Sequence, residues 1–211
     1  LALVMAVFRG ILHEEESVVC LTGLAGSKRL DTLLMANPKR DFPWFGEHTE
    51  GANRALLGSR EFLRLFDIAL KFATEGREGK PLGTIFVLGE PDALAGMTKP
   101  LIINPCEGHP KRARSIHDES FVESMRELAA LDGAFIIDRK GVVEQAGVYL
   151  SAAVTKRVQV EKGLGARHMG AAALTAKAEA LAIVISESSG KVTVYSEGTT
   201  VMSLGGRGEA V

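Results

Sequence analysis

Three short segments of this chain hold residue types that can handle a polyphosphate and a cation together. Asp132-Gly133-Ala134 opens the apolar run Phe135-Ile136-Ile137. A carboxylate at a strand entrance, beside a residue with no side chain, can meet a bulky ligand at close range. Oxygen ligands of this kind suit a hard divalent cation that bridges to phosphates. Arg167-His168 follows Gly163-Leu164-Gly165-Ala166 and opens an alanine-rich stretch. Backbone N–H groups at a helix start favour anions, the Arg guanidinium adds a planar fork of donors, and His168 can donate to a phosphate or bind a metal. Ser186-Glu187 ends the run Ala182-Ile183-Val184-Ile185 and offers a hydroxyl for phosphate and a carboxylate for metal. Tyr149-Leu150 closes another apolar segment, where a ring and an aliphatic chain can sandwich a purine. Each segment also has an ordinary explanation. Asp-Gly is a common turn dipeptide, Arg-His suits a surface helix cap, Ser-Glu a hairpin turn, and Tyr-Leu core packing.

The elements that must position these residues follow from periodicity. Ser17–Thr22 is rich in β-branched residues and predicts a short strand. From Gly23 to Gly58 the composition turns to loop signals such as Asn37-Pro38 and Phe42-Pro43, and a domain boundary is placed near residue 50. Phe62, Leu65, Phe66, Ala69, Leu70 and Ala73 recur at helical spacing, predicting a helix over Ser59–Thr74 with Ser59 as N-cap and Gly76 as stop. Gly83–Gly89 is near-continuously apolar, as in a strand covered on both faces. Further elements are a short strand at Leu101-Ile102-Ile103, a helix over Ile116–Ala130, strands at 134–138 and 142–149, a helix at about 167–176, and strands at 180–186 and 191–196. Helices alternating with strands in this way predict an α/β fold with a mixed central sheet flanked by helices.

The 211 residues allow one domain with a full core, or one domain plus part of another. A net charge of −1 argues against coating nucleic acid through bulk electrostatics. Cys20 and Cys106 lie far apart with no paired spacing, which fits a reducing cytoplasm better than a disulfide framework or a zinc site. No apolar run approaches the roughly 18 residues of a membrane span; the opening run Leu1–Phe8 is followed at once by Arg9. Because the chain begins with Leu, it is expected to be a fragment whose upstream part is missing. Gly23-Leu24-Ala25-Gly26-Ser27-Lys28 fails the P-loop pattern in spacing and in the order of Lys and Ser. The cluster Lys111-Arg112-Ala113-Arg114 is expected to be a solvated face.

The order and spacing of the segments resemble the diadenylate cyclase (DAC) family, which makes cyclic di-AMP from two ATP molecules. Leu131-Asp132-Gly133-Ala134-Phe135-Ile136-Ile137 is similar to the family's helix–Asp-Gly-Ala–strand segment, and Gly147-Val148-Tyr149-Leu150 to the strand end that lies against adenine. Leu164-Gly165-Ala166-Arg167-His168 is similar to its Gly-Thr-Arg-His segment, and Ile183 to Gly190 to the strand and Ser-Glu turn that close the site. The resemblance covers about residues 56–200. It implies a DAC domain over 51–211. Residues 1–50 resemble the tail of an α/β domain that precedes the cyclase in an archaeal-type subgroup.

The resemblance further implies ATP as substrate and cyclic di-AMP as product, a divalent metal (Mn2+ or Mg2+) on Asp132 with Glu187 as second ligand, and a face-to-face homodimer or a higher homo-oligomer. Arg167, His168 and Ser186 would hold the phosphates. Gly133, Ala134, Tyr149, Leu150, Gly165 and Ala166 would line the nucleotide. No nucleic-acid or membrane partner is implied. Two departures stand out: Ala166 where the family usually has Thr, and Met169 where it usually has a polar or basic residue. Met169 motivates an alternative, a degenerate module that binds ATP or cyclic di-AMP without turnover. A metal-dependent phosphohydrolase using Asp132, His168 and Glu187 is a second.

Overall fold

The computed structural model of the chain describes residues 3, 6, 7, 11–13, 15–23, 29–41, 52–77, 80–156, 158, 160, 161 and 163–205. The Gly23–Lys28 loop lies largely outside these.

Among the described residues a seven-stranded mixed sheet organises the chain, in the order β4-β6-β5-β3-β7-β8-β9. Its strands are β3 (Ile85–Gly89), β4 (Thr98–Pro100), β5 (Ala134–Ile137), β6 (Val143–Leu150), β7 (Ala180–Ile185), β8 (Val192–Ser196) and β9 (Thr199–Leu204). Only the β3–β5 pair is parallel. A separate antiparallel ribbon joins β1 (Val18–Thr22) to β2 (Thr32–Ala36).

Alternation along the strands builds two cores. In β3, Phe86 and Leu88 face one side while Ile85 and Val87 face the other; in β7, Leu181, Ile183 and Ile185 oppose Ala180, Ala182 and Val184. The first side is covered by α1 (Ala52–Leu57), α2 (Arg60–Thr74) and α3 (Glu119–Leu128). Helix α2 starts where the Ser59 hydroxyl accepts the Phe62 N–H at 3.1 Å, and its Phe62, Leu65, Phe66, Ile68, Ala69 and Phe72 are buried. Phe72, Phe86 and Phe135 meet ring to ring at 5.8 and 5.4 Å between centroids, tying helix to sheet. Burying each such ring contributes about 1.5–3 kcal/mol.

The second side is covered by α4 (Ala166–Thr175), whose Ala171, Ala172 and Leu174 lie over the β7 alanines. Small residues on both surfaces let the helix approach closely. That matters because the first turn of α4 carries Arg167 and His168.

Several expectations are corrected. The strand beside β6 is Thr98–Pro100, with Leu101 adding one bond from its N–H to the Gly147 carbonyl; Leu101-Ile102-Ile103 is not a strand. Helix α3 begins at Glu119 because Asp118 caps it, accepting the N–H groups of Ser120 and Phe121, while Ile116 bonds to Gly141 instead. Ala52–Leu57 is helical where loop was expected. Strands β2 and β9 were not anticipated. Arg114 is not a solvated charge: its guanidinium reaches the Val143 carbonyl at 2.6 Å and pairs with Glu144. No helix among the described residues is long and apolar enough to cross a membrane.

Candidate functional site

Sheet register brings the site together. Ile85 on β3 stands opposite Ala134 on one side and Val184 on the other. Since β3 runs with β5 and against β7, the entrance of β5 and the exit of β7 share one end of the sheet. Asp132 and Gly133 therefore arrive on one flank of β3, and Ser186 and Glu187 on the other.

The residues before Ile85 hold this arrangement. The Thr84 carbonyl accepts the Ile185 N–H at 2.9 Å, and the buried Thr84 hydroxyl donates to the Gly133 carbonyl at 3.2 Å. One step further, Gly83 supplies a gap. A Cβ there would sit 2.6 Å from Glu187 Cβ and 2.8 Å from Arg167 Nη1. Gly133 supplies a second close approach. Its φ is +120°, and a Cβ would lie 2.8 Å from the Gly147 backbone.

Helix α4 enters at the same end. Gly165 is its N-cap, in extended conformation, with no side-chain capping bond. Arg167 in the first turn spreads its fork across the two flanks: Nη2 donates to Asp132 Oδ1 at 3.1 Å and Nη1 to Glu187 Oε2 at 3.2 Å. Both carboxylates are otherwise open, with side chains 79% and 68% exposed. The Gly133 N–H also donates to Asp132 Oδ1, at 3.0 Å.

His168 is buried, with Nδ1 at 3.0 Å from the Tyr195 hydroxyl. Burial pushes its pKa below the ordinary value, and the Lys191 and Arg167 cations act in the same direction, against Glu161. Ser186 lies in the turn after β7, its hydroxyl 3.2 Å from that of Ser188.

These groups frame a cleft of about 980 Å³ lined by Lys80, Asp132, Gly163 to His168 and Val184 to Ser188, within the size range of ligand sites. A small apolar pocket of about 80 Å³, walled by Gly133, Val148, Tyr149, Leu150 and Gly170, shares Asp132, Ala166 and Arg167 with it. Asp132, Gly165, Ala166, Arg167, His168, Ser186 and Glu187 are thus gathered around the cleft, and Gly133, Tyr149 and Leu150 around the pocket. Ala134 lines neither cavity and is buried beneath α4. Met169 also lines neither, whereas Ala166 lines both.

Sequence reasoning missed Lys80, Gly83, Gly170 and Tyr195. Gly83 was visible only as a strand boundary, and nothing in the local pattern of Tyr195 points to a histidine 27 positions away.

Among the described residues no group of three or more His, Cys, Asp or Glu could hold a metal. Asp132 and Glu187 each give one oxygen to Arg167 and have a second oxygen besides. That donor set fits a hard divalent ion completed by phosphate oxygens and water.

Known proteins resemble this chain in sequence and in fold. Diadenylate cyclase of Methanocaldococcus jannaschii is 37% identical over 198 residues, covering 90% of this chain and 60% of the relative. Diadenylate cyclase of Haloferax volcanii is 34% identical over 140 residues, covering 66% of this chain and 51% of that protein. The chain therefore spans little more than half the length of these relatives. A solved structure described as a hypothetical membrane spanning protein from Bacillus cereus shares the fold, with a TM-score of 0.51 and 19% identity over 70% of this chain and 66% of that one. The family model for the DisA bacterial checkpoint controller nucleotide-binding (DAC) domain matches residues 71–200, most of the described sheet and every element that shapes the cleft. The chain belongs to the DAC family.

Proposed function

We propose that this chain carries the catalytic unit of a diadenylate cyclase, over residues 51–211, acting in the cytoplasm on two molecules of ATP. Residues 1–50 would be the tail of an upstream α/β domain. The observation that carries the reading is the Arg167 fork, set between Asp132 and Glu187 at the mouth of a cleft that adjoins an apolar pocket. A triphosphate and a purine need those two environments side by side. Both curated relatives bear the name diadenylate cyclase, which supports the same assignment.

In this reading Gly133, Tyr149 and Leu150 hold adenine and ribose. The open amides after Gly165, together with Arg167, His168 and Ser186, hold the phosphate chain. Asp132, with Glu187 as second ligand, would hold Mg2+ or Mn2+, which would supply charge neutralisation for the departing pyrophosphate and would lower the pKa of the attacking hydroxyl.

The 3′-oxygen of one ATP forms a bond to the α-phosphorus of the other. The bond from that phosphorus to the β-phosphate oxygen breaks, pyrophosphate leaves, and the hydroxyl proton passes to solvent. The reciprocal attack closes the ring and releases a second pyrophosphate. Each subunit contributes one nucleotide, so two copies must oppose their clefts about a two-fold axis. Holding both nucleotides in line removes most of the entropic barrier.

The test is incubation with ATP and Mn2+, followed by chromatography with mass detection. Cyclic di-AMP and pyrophosphate are expected, with loss of both in Asp132→Asn. Intact ATP at high protein concentration would sink the reading in favour of a binding module, and ADP or AMP alone would favour a phosphohydrolase.

A further inference from the structure

Tyr195 is the largest fully buried side chain of the described residues, and the chemistry above does not use it. It stands on β8 opposite Ala182 of β7 and Thr200 of β9, with a register shift between Val194 and Tyr195 in the β8–β9 ladder. Its ring lies in the core beneath α4. From there the hydroxyl meets His168 Nδ1 at 3.0 Å, the two rings inclined at 73° with centroids 5.9 Å apart. A buried phenol and an imidazole thus form a line that ends at a residue of the cleft wall.

Two proton arrangements satisfy that line. In one, Tyr195 donates to Nδ1 and the ring proton of His168 sits on Nε2. In the other, every donor is reversed and Nε2 presents a lone pair. The second would set a lone pair against an anion in the cleft. The first offers the anion a hydrogen bond, and Arg167 in the same helical turn favours an anion there.

We propose that Tyr195 is a positioning residue: its hydroxyl donates to His168 Nδ1 and fixes the imidazole as the Nε2–H tautomer, a neutral donor aimed at the polyphosphate. The proposal rests on the cyclase reading only for the identity of that polyphosphate. A neutral donor keeps its proton across the working pH range. It also adds no charge to a helix start where Arg167 and Lys191 already crowd His168. The hydroxyl of Tyr195 therefore controls which way the histidine bonds.

The experiment is nitrogen-15 NMR of histidine-labelled chain, with and without inorganic tripolyphosphate, and calorimetric titration of tripolyphosphate and ATP. The wild type is expected to show an unprotonated Nδ1 and a protonated Nε2 for His168. In Tyr195→Phe, which keeps the ring, the tautomers should mix and affinity for both ligands should fall about fivefold, the worth of one ordinary hydrogen bond. If Tyr195→Phe fails to fold, the wild-type spectrum still decides. A protonated Nδ1 in the wild type, or unchanged tautomers in Tyr195→Phe, overturns the proposal. Neither readout needs turnover: fixed tautomers in a chain that makes no cyclic di-AMP would sink the cyclase reading and leave this inference standing.

Discussion

Replacing Gly133 by alanine places a methyl group where the structure has backbone. The new Cβ would lie 2.8 Å from Gly147 Cα, Gly147 C and Val148 N at once, at a φ of +120°. None of these is the free end of a side chain, so β5 and β6 must move apart. Overpacking of this kind costs about 1–3 kcal/mol, and holding alanine at positive φ adds about 1–2 kcal/mol. The sum is about 2–5 kcal/mol, a large share of the roughly 5–15 kcal/mol that holds a domain folded. Gly147→Ala is the matched control. Its φ is +68° and its Cβ would lie 2.4 Å from Ile102 Cγ1, but Ile102 is 36% exposed and its side chain can turn away. It should cost about 1–2 kcal/mol, mostly backbone. Urea unfolding of both variants measures the difference. A Gly133→Ala cost below about 1 kcal/mol, or one smaller than that of Gly147→Ala, would refute the close approach that sets Asp132 against Arg167.

Arg167→Lys should separate chemistry from stability. Exposed ion pairs contribute about 0–1 kcal/mol each, so the unfolding midpoint should barely move, whereas cyclic di-AMP formation should fall about 100-fold or more through loss of the planar fork. The pH dependence of stability should carry a His168 component. Its folded pKa is lowered, chiefly by burial, below 6.5. The folded chain then binds fewer protons than the unfolded one, so this contribution is full above about pH 6.5 and is lost as pH falls through the folded pKa. Urea midpoints from about pH 5 to 7.5 should show a slope that His168→Asn flattens. Ser59→Ala removes the acceptor for the Phe62 N–H; thermal unfolding should report a loss of about 1 kcal/mol with cyclase activity unchanged.

Much of the lining of the candidate site could be read before any fold was known, because its parts are local. Asp132-Gly133, Gly165 to His168 and Ser186-Glu187 each couple a reactive group to a strand end or helix start, and such boundaries are written in glycines and apolar runs. Helix α2 was equally legible from the spacing of its phenylalanines. What could not be read is whatever depends on register between distant strands. Gly83 matters only because Ala134 and Val184 flank Ile85, and Tyr195 only because α4 crosses β8. Strand β9 was missed because Glu197-Gly198 was not taken as a tight hairpin turn, although both residues adopt positive φ. Helix α3 was begun too early because Ile116 is as apolar as a helical core residue, while Asp118 makes the capping bonds.

Among the described residues, the charged side chains that line the cleft balance. Lys80 and Arg167 line it with Asp132 and Glu187, and burial lowers the His168 pKa. Long-range steering of a ligand needs a surplus of one sign, and here attraction and repulsion cancel beyond a few ångströms. Nucleotide capture should therefore proceed at a rate almost independent of ionic strength, where a purely basic cleft would slow steeply as salt shortens the screening length. Selection then falls to short-range geometry, the donor fork and the exposed amides, and a free polyanion gains nothing from charge alone.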